Sequence, residues 1–203
     1  MAASQTTSPS KAELRRRYRT ARAELPTPIR NQAERQALRH ALSSGLLLKG
    51  KRWGVYLPFG SEFDVLGLAN QMLWMRKQVF VPVLPLRPAM PLRFVRLSKG
   101  QRLTRNRHNI SEPFSWRRIG ARQLDVLLLP LVAYDTRGVR LGMGGGYYDA
   151  TLAYLKTRRH WRKPKLIGIA YTCQQAPELP AEAWDVRLDG VLTETGLTYF
   201  RNQ

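Results

Sequence analysis

The chain has 203 residues, of which 43% are apolar and 24% charged; this is an ordinary globular composition, long enough to bury a sizeable core without covalent staples. Lys plus Arg number 34 against 14 Asp plus Glu, a formal net charge of +20, which excludes a neutral scaffold and favours an anionic partner: nucleic acid, a phosphate-bearing ligand, a polycarboxylate or a membrane surface. A single cysteine, Cys173, excludes an intrachain disulfide framework and a cysteine-based zinc cluster, and suits a reducing compartment.

Residues 1–10 are polar and rich in Ser and Thr. They lack the apolar run of a signal peptide and are expected to form a disordered tail ahead of a single α/β domain over 11–203. No stretch approaches the roughly 18 apolar residues that a membrane helix needs. A cytoplasmic monomer is expected, with no membrane association. The Arg-rich stretch 15–22 superficially resembles a transit peptide, yet the same residues fit a helix over 11–25. There Leu14, Tyr18, Ala21 and Leu25 share one face, and Lys11, Arg15, Arg19 and Arg22 line another. Thr27-Pro28 reads as a cap followed by a first-turn proline. A second helix then runs to about residue 42, with Ile29, Ala33, Ala37 and Ala41 as its apolar stripe.

From Trp53 onward strands and helices alternate. Residues 53–57 predict a strand, and Asp64 caps a helix over 65–77 with Leu68, Met72 and Leu73 inward. Strands follow at 79–83 and 92–96. Residues 98–124 are polar and basic, with Pro113 and Gly120, and predict a loop. The apolar run 125–129 predicts a buried strand, and 131–133 follows it. A glycine-rich loop at 142–146 precedes a helix over 147–158, and 166–170 and 190–193 predict the last strands. The alternation implies an α/β protein: an open, mostly parallel sheet flanked by helices on both faces, a Rossmann-like three-layer arrangement. In such sheets ligands sit beyond the carboxyl ends of the strands.

The strongest local signal is Arg140-Leu141-Gly142-Met143-Gly144-Gly145-Gly146-Tyr147-Tyr148-Asp149. Four glycines in five positions remove side chains where a backbone must approach something closely, and a helix start beyond them offers free N–H groups to phosphate. A tight turn with no ligand is the alternative. The loop is not a Walker sequence, because no Lys-Ser/Thr follows the last glycine, and it comes too late in the chain for the dinucleotide fingerprint. Asp149 is either a dipole-compensating residue at the helix start or a magnesium ligand beside phosphates. In the second case another carboxylate must converge on it, from Asp185 or Asp189. Lys11 and Arg15, four apart, project together from one helix face, as a phosphate clamp or as a solvated basic face. Glu62 stands in a loop after a strand, where a substrate would lie. His40, His108 and His160 have neither metal-ligand nor triad spacing.

Taken in order, Lys11-Ala12-Glu13-Leu14-Arg15, Tyr56-Leu57-Pro58, Glu62-Phe63-Asp64, Asn109-Ile110-Ser111-Glu112-Pro113, Pro130-Leu131-Val132-Ala133-Tyr134-Asp135, Gly144-Gly145-Gly146-Tyr147-Tyr148-Asp149, Gly168-Ile169-Ala170-Tyr171 and Asp189-Gly190-Val191-Leu192-Thr193-Glu194 resemble the 5-formyltetrahydrofolate cyclo-ligase family, also called 5,10-methenyltetrahydrofolate synthetases. The resemblance covers the chain from Lys11 to about Glu194. It implies closure of 5-formyltetrahydrofolate to the 5,10-methenyl form with ATP and Mg²⁺, release of ADP and phosphate, and a phosphorylated formyl intermediate. It further implies that Lys11 and Arg15 hold ATP phosphates, with Arg140, Gly142, Gly144, Gly145, Gly146, Tyr147 and Tyr148 completing the nucleotide site. Leu57, Glu62, Met143, Gly144, Gly145, Gly146 and Tyr147 would contact the folate, and Asp149 and Asp189 would carry the metal. Met143 stands where many members have an aromatic or basic residue, and Trp184 stands before Asp185 where a histidine is frequent. A polyglutamate tail on the folate would give the surplus cations a partner.

Two other readings remain. A nucleic-acid-binding protein is suggested by the net charge and by Lys99, Arg102, Arg105 and Arg107 with Trp116 beyond. Against it, no recognition motif is present, the basic residues are spread over the chain, and nucleic-acid binding does not require the loop with Asp149; no specific nucleic-acid partner is therefore expected. A kinase-like or sugar-phosphate enzyme would share the loop but not the flanking motifs.

Overall fold

The structure, a computed structural model, describes residues 9–85, 87, 90–98, 101, 103–105, 111–113, 115–157, 163–182 and 185–200. The tail expected over 1–10 falls outside them up to residue 8. Ser10 belongs to a helix cap instead: its hydroxyl accepts from the Glu13 N–H at 3.2 Å, and the Glu13 carboxylate accepts from the Ser10 N–H at 2.7 Å. This reciprocal capping box satisfies two donors at the start of α1 (Lys11–Ala23). Leu14, Tyr18 and Arg22 are the buried residues of α1. The placement of Arg22 on the basic face, apart from the apolar one, is thereby corrected, because its i, i+4, i+8 spacing from Leu14 and Tyr18 puts it on the inner stripe.

Helix α2 (Thr27–Ser43) has Pro26 at its N-cap and no side-chain cap bond, so Thr27 is a helical residue rather than the cap. Ala33, Ala37 and Ala41 are buried as the stripe requires, while Ile29 is exposed. Between β1 (Arg52–Gly54) and β2 (Gln78–Val83) lies α3 (Leu66–Trp74). The Asp64 carboxylate accepts from the Leu66 N–H at 2.7 Å at the entry to α3. The helix stops short of residue 77 because the backbone turns left-handed at Arg76 (φ 58°).

The main sheet continues through β3 (Arg93–Arg96), β6 (Arg118–Gly120), β7 (Val126–Pro130), β10 (Lys165–Ile169), β11 (Gly190–Thr193) and β12 (Gly196–Tyr199). Its order is β12-β11-β10-β7-β1-β2-β3-β6. The five central strands, β11 to β2, run parallel, and β12, β3 and β6 add antiparallel edges. The open, mostly parallel α/β sheet is as expected. The loop expected over 98–124 is not: it supplies the edge strand β6 and a small ladder of β4 (Leu103–Arg105) with β5 (Ser111–Pro113). Lys99, Arg102, Arg107 and His108 of that segment lie outside the described residues, as do His160 and Trp184. Among the described residues no helix is long and apolar enough to cross a membrane.

Period-2 alternation sorts the core. Val126 and Leu128 of β7 join Trp53, Val79, Val81, Ile167 and Ile169 under α2 and α3. Leu127 and Leu129 face the other way, with Phe80, Phe94, Leu166, Val191 and Leu152. Burial on both faces is why β7 reads as an unbroken apolar run. Leu152 belongs to α4 (Tyr147–Leu152), which is six residues long and passes into a 3₁₀ turn at Ala153–Leu155, well short of residue 158.

A third apolar cluster positions the site. Leu14 and Tyr18 of α1 pack against Val132, Ala133, Val139 and Leu141, which belong to or flank the hairpin of β8 (Ala133–Tyr134) and β9 (Arg140–Leu141). The fully buried Asp135 carboxylate stiffens the hairpin turn, accepting from the N–H groups of Arg137, Val139 and Leu179 at 3.0, 3.0 and 3.1 Å. Because β9 runs directly into the glycine-rich loop, docking α1 on this hairpin delivers Lys11 and Arg15 to that loop.

Candidate active site

Two concavities share the glycine-rich loop as a common wall. The smaller is a cleft of about 240 Å³ lined by Lys11 and Arg15 of α1, Arg140 of β9, Gly142, Gly144 and Gly146, Asp149 of α4, and Asp185. The larger, of about 420 Å³ and mostly apolar, lies at the carboxyl ends of β1, β2 and β7. Tyr56, Leu57, Phe59 and Glu62 come from the segment after β1, Pro82 from β2 and Leu84 from just beyond it, Pro130 from β7, and Met143, Gly145, Tyr147 and Tyr148 from the loop and α4. This is the position at which open parallel sheets bind ligands.

The loop conformation explains its glycines. Gly144 (φ 97°) and Gly146 (φ 66°) are left-handed, a region that side chains with a Cβ rarely enter. A Cβ on Gly144 would lie 3.5 Å from the Arg15 guanidinium carbon, so that wall of the cleft is bare backbone. The Arg15 Nε–H donates to the Gly142 carbonyl at 2.9 Å and ties α1 to the loop. α4 is too short to bring much of a helix dipole to the cleft; the cations must carry any attraction for an anion.

Those cations are Lys11, Arg15 and Arg140. The Arg140 side chain is 5% exposed and pairs through Nη2 with the Asp149 carboxylate. Among the described residues its Nε is buried without a hydrogen-bond partner, and such orphans are rare. Lys11 Nζ lies 3.5 Å from carboxylate oxygens of both Asp185 and Glu182. Three cations and two carboxylates around one bare backbone wall fit a phosphate group with a hard divalent cation, since Mg²⁺ takes one or two carboxylates and completes its shell with phosphate and water oxygens. Among the described residues no group of three or more His, Cys, Asp or Glu could hold a metal alone.

In the larger cavity the chemistry centres on Glu62. Its carboxylate accepts from the Phe59 N–H at 3.1 Å. Burial pushes it above the ordinary carboxylate range, offset in part by the Phe59 N–H and the cation of Arg22. Burial, then the Glu62 charge, push the hydroxyls of Tyr56 and Tyr148 upward, so both stay neutral. The Tyr56 hydroxyl donates to the Phe63 carbonyl at 2.8 Å and fixes the far end of the Glu62 loop.

The structure brings together most of the residues singled out in the sequence. Lys11, Arg15, Arg140, Gly142, Gly144, Gly146 and Asp149 meet in the cleft. Leu57, Glu62, Met143, Gly145, Tyr147 and Tyr148 meet in the larger cavity, with Gly144 and Gly146 facing both. Asp189 joins neither. Its N–H donates to the Leu166 carbonyl at 2.9 Å and its carboxylate accepts from the Leu166 N–H at 2.7 Å, so it ties the amino ends of β10 and β11, at the end of the sheet away from the site. The carboxylate that accompanies Asp149 is Asp185. The signal was present: a residue immediately ahead of a parallel strand lies at the wrong end of the sheet. Glu112, to which the motif alone assigns no role, also lines the cavity and accepts from the Leu84 N–H at 2.9 Å. His40 bonds the Glu194 carbonyl and Cys173 is exposed, both away from these cavities.

These features define the class, an α/β enzyme in which a cationic cleft and an apolar cavity are separated by one glycine-rich wall. Comparison with known proteins is more particular. The model of the 5-formyltetrahydrofolate cyclo-ligase family matches residues 7–194, and the chain belongs to that family. The 5-formyltetrahydrofolate cyclo-ligase of Haemophilus influenzae is 37% identical over 185 residues, covering 89% of this chain and 95% of the relative. That of Escherichia coli K12 is 40% identical over 143 residues, covering 68% and 75%. The solved structure of Aquifex aeolicus 5,10-methenyltetrahydrofolate synthetase superposes with a TM-score of 0.78 at 27% identity, covering 95% of this chain and 94% of that one.

Proposed function

We propose that the protein converts 5-formyltetrahydrofolate to 5,10-methenyltetrahydrofolate, with ATP and Mg²⁺ as co-substrate and cofactor and ADP and phosphate as products. The observation that carries this reading is Arg140. Buried between the two cavities, it lines both and keeps an Nε–H with no partner among the described residues, as expected of a group that stabilises phosphoryl transfer from one cavity into the other.

The formyl oxygen is a poor leaving group. In this reading it attacks the γ-phosphorus and ADP departs. N10 then attacks the formyl carbon, the carbon–oxygen bond breaks to release phosphate, and N10 loses its proton. Such transfer depends on positioning and charge neutralisation rather than on a protein nucleophile. Lys11, Arg15 and Arg140 bind the phosphates against the bare backbone of Gly142 and Gly144. Asp149 and Asp185 would hold Mg²⁺, which supplies further neutralisation of phosphate charge. Leu57, Met143, Tyr147 and Tyr148 enclose the pterin and exclude water. The Glu62 carboxylate accepts N–H donors from the pterin edge, a charge-assisted pairing. A polyglutamate tail on the substrate would meet the chain's cationic surplus.

The deciding experiment follows the near-ultraviolet absorbance of the methenyl product with purified protein, 5-formyltetrahydrofolate and Mg-ATP. Product formed only when both ATP and Mg²⁺ are present is the expected result. No product in the complete mixture overturns the reading.

A further inference from the structure

Of the six cations on α1, Arg22 alone is buried, at 4% exposure. Burying a guanidinium is unfavourable unless its charge and donors are answered. Its donors reach two uncharged acceptors: Nε–H bonds the Ser61 hydroxyl at 3.2 Å, and Nη1–H bonds the Leu131 carbonyl at 3.3 Å. Leu131 follows β7, whose carboxyl end walls the larger cavity, and its carbonyl is also held by the Gln174 amide at 2.8 Å. Ser61 immediately precedes Glu62. Neither acceptor neutralises the cation. The opposite charge that acts on it is the Glu62 carboxylate. From the side of Glu62, the facing groups are Arg22 from α1, the Tyr56 hydroxyl from the segment after β1, the Tyr148 hydroxyl from α4 and the Phe59 N–H. Arg22 is the cation among them. It lies behind the loop and is absent from the lining of either cavity.

We propose that Arg22 is a positioning residue for substrate recognition, anchoring the Ser61–Glu62 turn from behind and supplying the countercharge that holds Glu62 as a carboxylate facing the cavity. This rests on the reading that Glu62 meets the pterin. Burial favours the protonated form of Glu62 and Arg22 opposes it. Without the cation Glu62 takes up a proton at higher pH and presents a donor to the donors of the pterin edge. The expected defect is therefore confined to the folate side of the reaction. Arg22 makes no contact in the phosphate cleft, and ATP use has no reason to change.

The test uses Arg22→Met, which keeps much of the volume but not the charge, and Arg22→Lys, which restores the charge without the fork. Arg22→Met should weaken 5-formyltetrahydrofolate by about tenfold or more, in KM and in calorimetric Kd, as expected for a lost charge-assisted interaction. The KM for ATP should stay within about twofold. The acid limb of kcat/KM for the folate should move to higher pH. Arg22→Lys should bring the limb back while leaving KM elevated. Combined with Glu62→Gln, Arg22→Met should add little, because both changes remove one coupled interaction. A folded Arg22→Met protein with wild-type folate KM and pH profile overturns the proposal, as does a penalty fully additive with Glu62→Gln. Should Arg22→Met not fold, Ser61→Ala decides: it removes the anchored hydroxyl and should raise the folate KM without moving the limb, and an unchanged KM overturns the proposal. Wild-type protein that binds the folate without turning it over sinks the reaction assigned above, while Arg22 is still judged by Kd. Wild-type protein that does not bind it sinks both.

Discussion

Arg140 and Asp149 form an ion pair that closes the glycine-rich loop at its base, one residue from β9 and the other from the first turn of α4. The partners are unequal: the Arg140 side chain is 5% exposed and that of Asp149 42%. Asp149 is therefore more than a helix-start carboxylate. It is the countercharge of a buried cation, and it keeps a solvent-exposed side.

That dual position shapes the effect of removing its charge. Asp149→Asn should abolish most turnover and also lower the melting temperature. Breaking a fully buried pair costs about 3–5 kcal/mol, but solvent at Asp149 screens this one, so about 1–2 kcal/mol is expected. Asp185→Asn should reduce turnover and raise the Mg²⁺ requirement. Asp189→Asn should leave Mg²⁺ dependence alone and destabilise by about 1 kcal/mol through its bond to Leu166. Activity titrated with Mg²⁺, beside thermal melts, separates the three. A normal Mg²⁺ response in Asp185→Asn removes it from the metal site.

Lys11 and Arg19 lie on the same helix, one in the cleft and one exposed to solvent. A charge-assisted bond to phosphate is worth about 1.5–3 kcal/mol, so Lys11→Ala should raise the KM for ATP by roughly ten- to a hundredfold. Arg19→Ala should leave it unchanged. Neither should shift stability by more than about 0.5 kcal/mol. Equal ATP kinetics in the two variants would show α1 to be only a solvated basic face.

Gly144 and Gly145 are neighbours with different constraints. At Gly144 a side chain is strained by φ 97°, while its Cβ would meet Arg15 only at ordinary contact distance. Gly144→Ala should cost about 1–3 kcal/mol of local strain and weaken ATP binding by calorimetry. Gly145 has no positive φ, and a Cβ there would press on the Tyr147 ring at 3.1 Å. Gly145→Val should impair the folate side more than the nucleotide side. The reverse ranking would mean that the loop wall is assigned to the wrong cavity.

The pH dependence follows from Glu62. Its folded-state value is raised above the ordinary carboxylate value, first by burial. Between those two values the folded protein holds more protons than the unfolded chain, so Glu62 adds stability as pH falls through that window and subtracts it at neutral pH. The raised value already includes the opposing Arg22 cation, so burial outweighs the pairing and Glu62→Gln, though it removes the charge facing Arg22, should still melt slightly higher than wild type at neutral pH while losing folate affinity, the trade between stability and function expected at a binding site. The acid limb of kcat/KM for the folate should be absent in this variant. A lower melting temperature at neutral pH would refute the burial argument.

Much of this protein is local and could be read without coordinates. The unbroken apolar run of β7 signals burial on both faces. The run of glycines over 142–146 signals a backbone open to close approach, though not which of them are left-handed, and the alternation of elements signals a parallel sheet. Each follows from side-chain period or from steric rules acting within a few residues. The edge strands β6 and β12 were not legible, because an edge strand is stabilised by its neighbour's free hydrogen-bonding groups and needs no apolar pattern of its own. Three choices belonged to tertiary structure alone. Asp185 and Asp189 are the same residue type four positions apart, and only the direction of β11 decides that one faces the cleft and the other the far end of the sheet. Arg22 is a residue type usually found at the surface, and only the approach of the Ser61–Glu62 turn and of the Leu131 carbonyl supplies the acceptors with which it is buried beside the Glu62 carboxylate. The meeting of Lys11 with Arg140, from helices and strands far apart in the chain, depends on Leu14 and Tyr18 packing against a hairpin that no short-range pattern connects to them. Sequence period reports which face of an element is apolar; it carries no information about which distant charge will be waiting there.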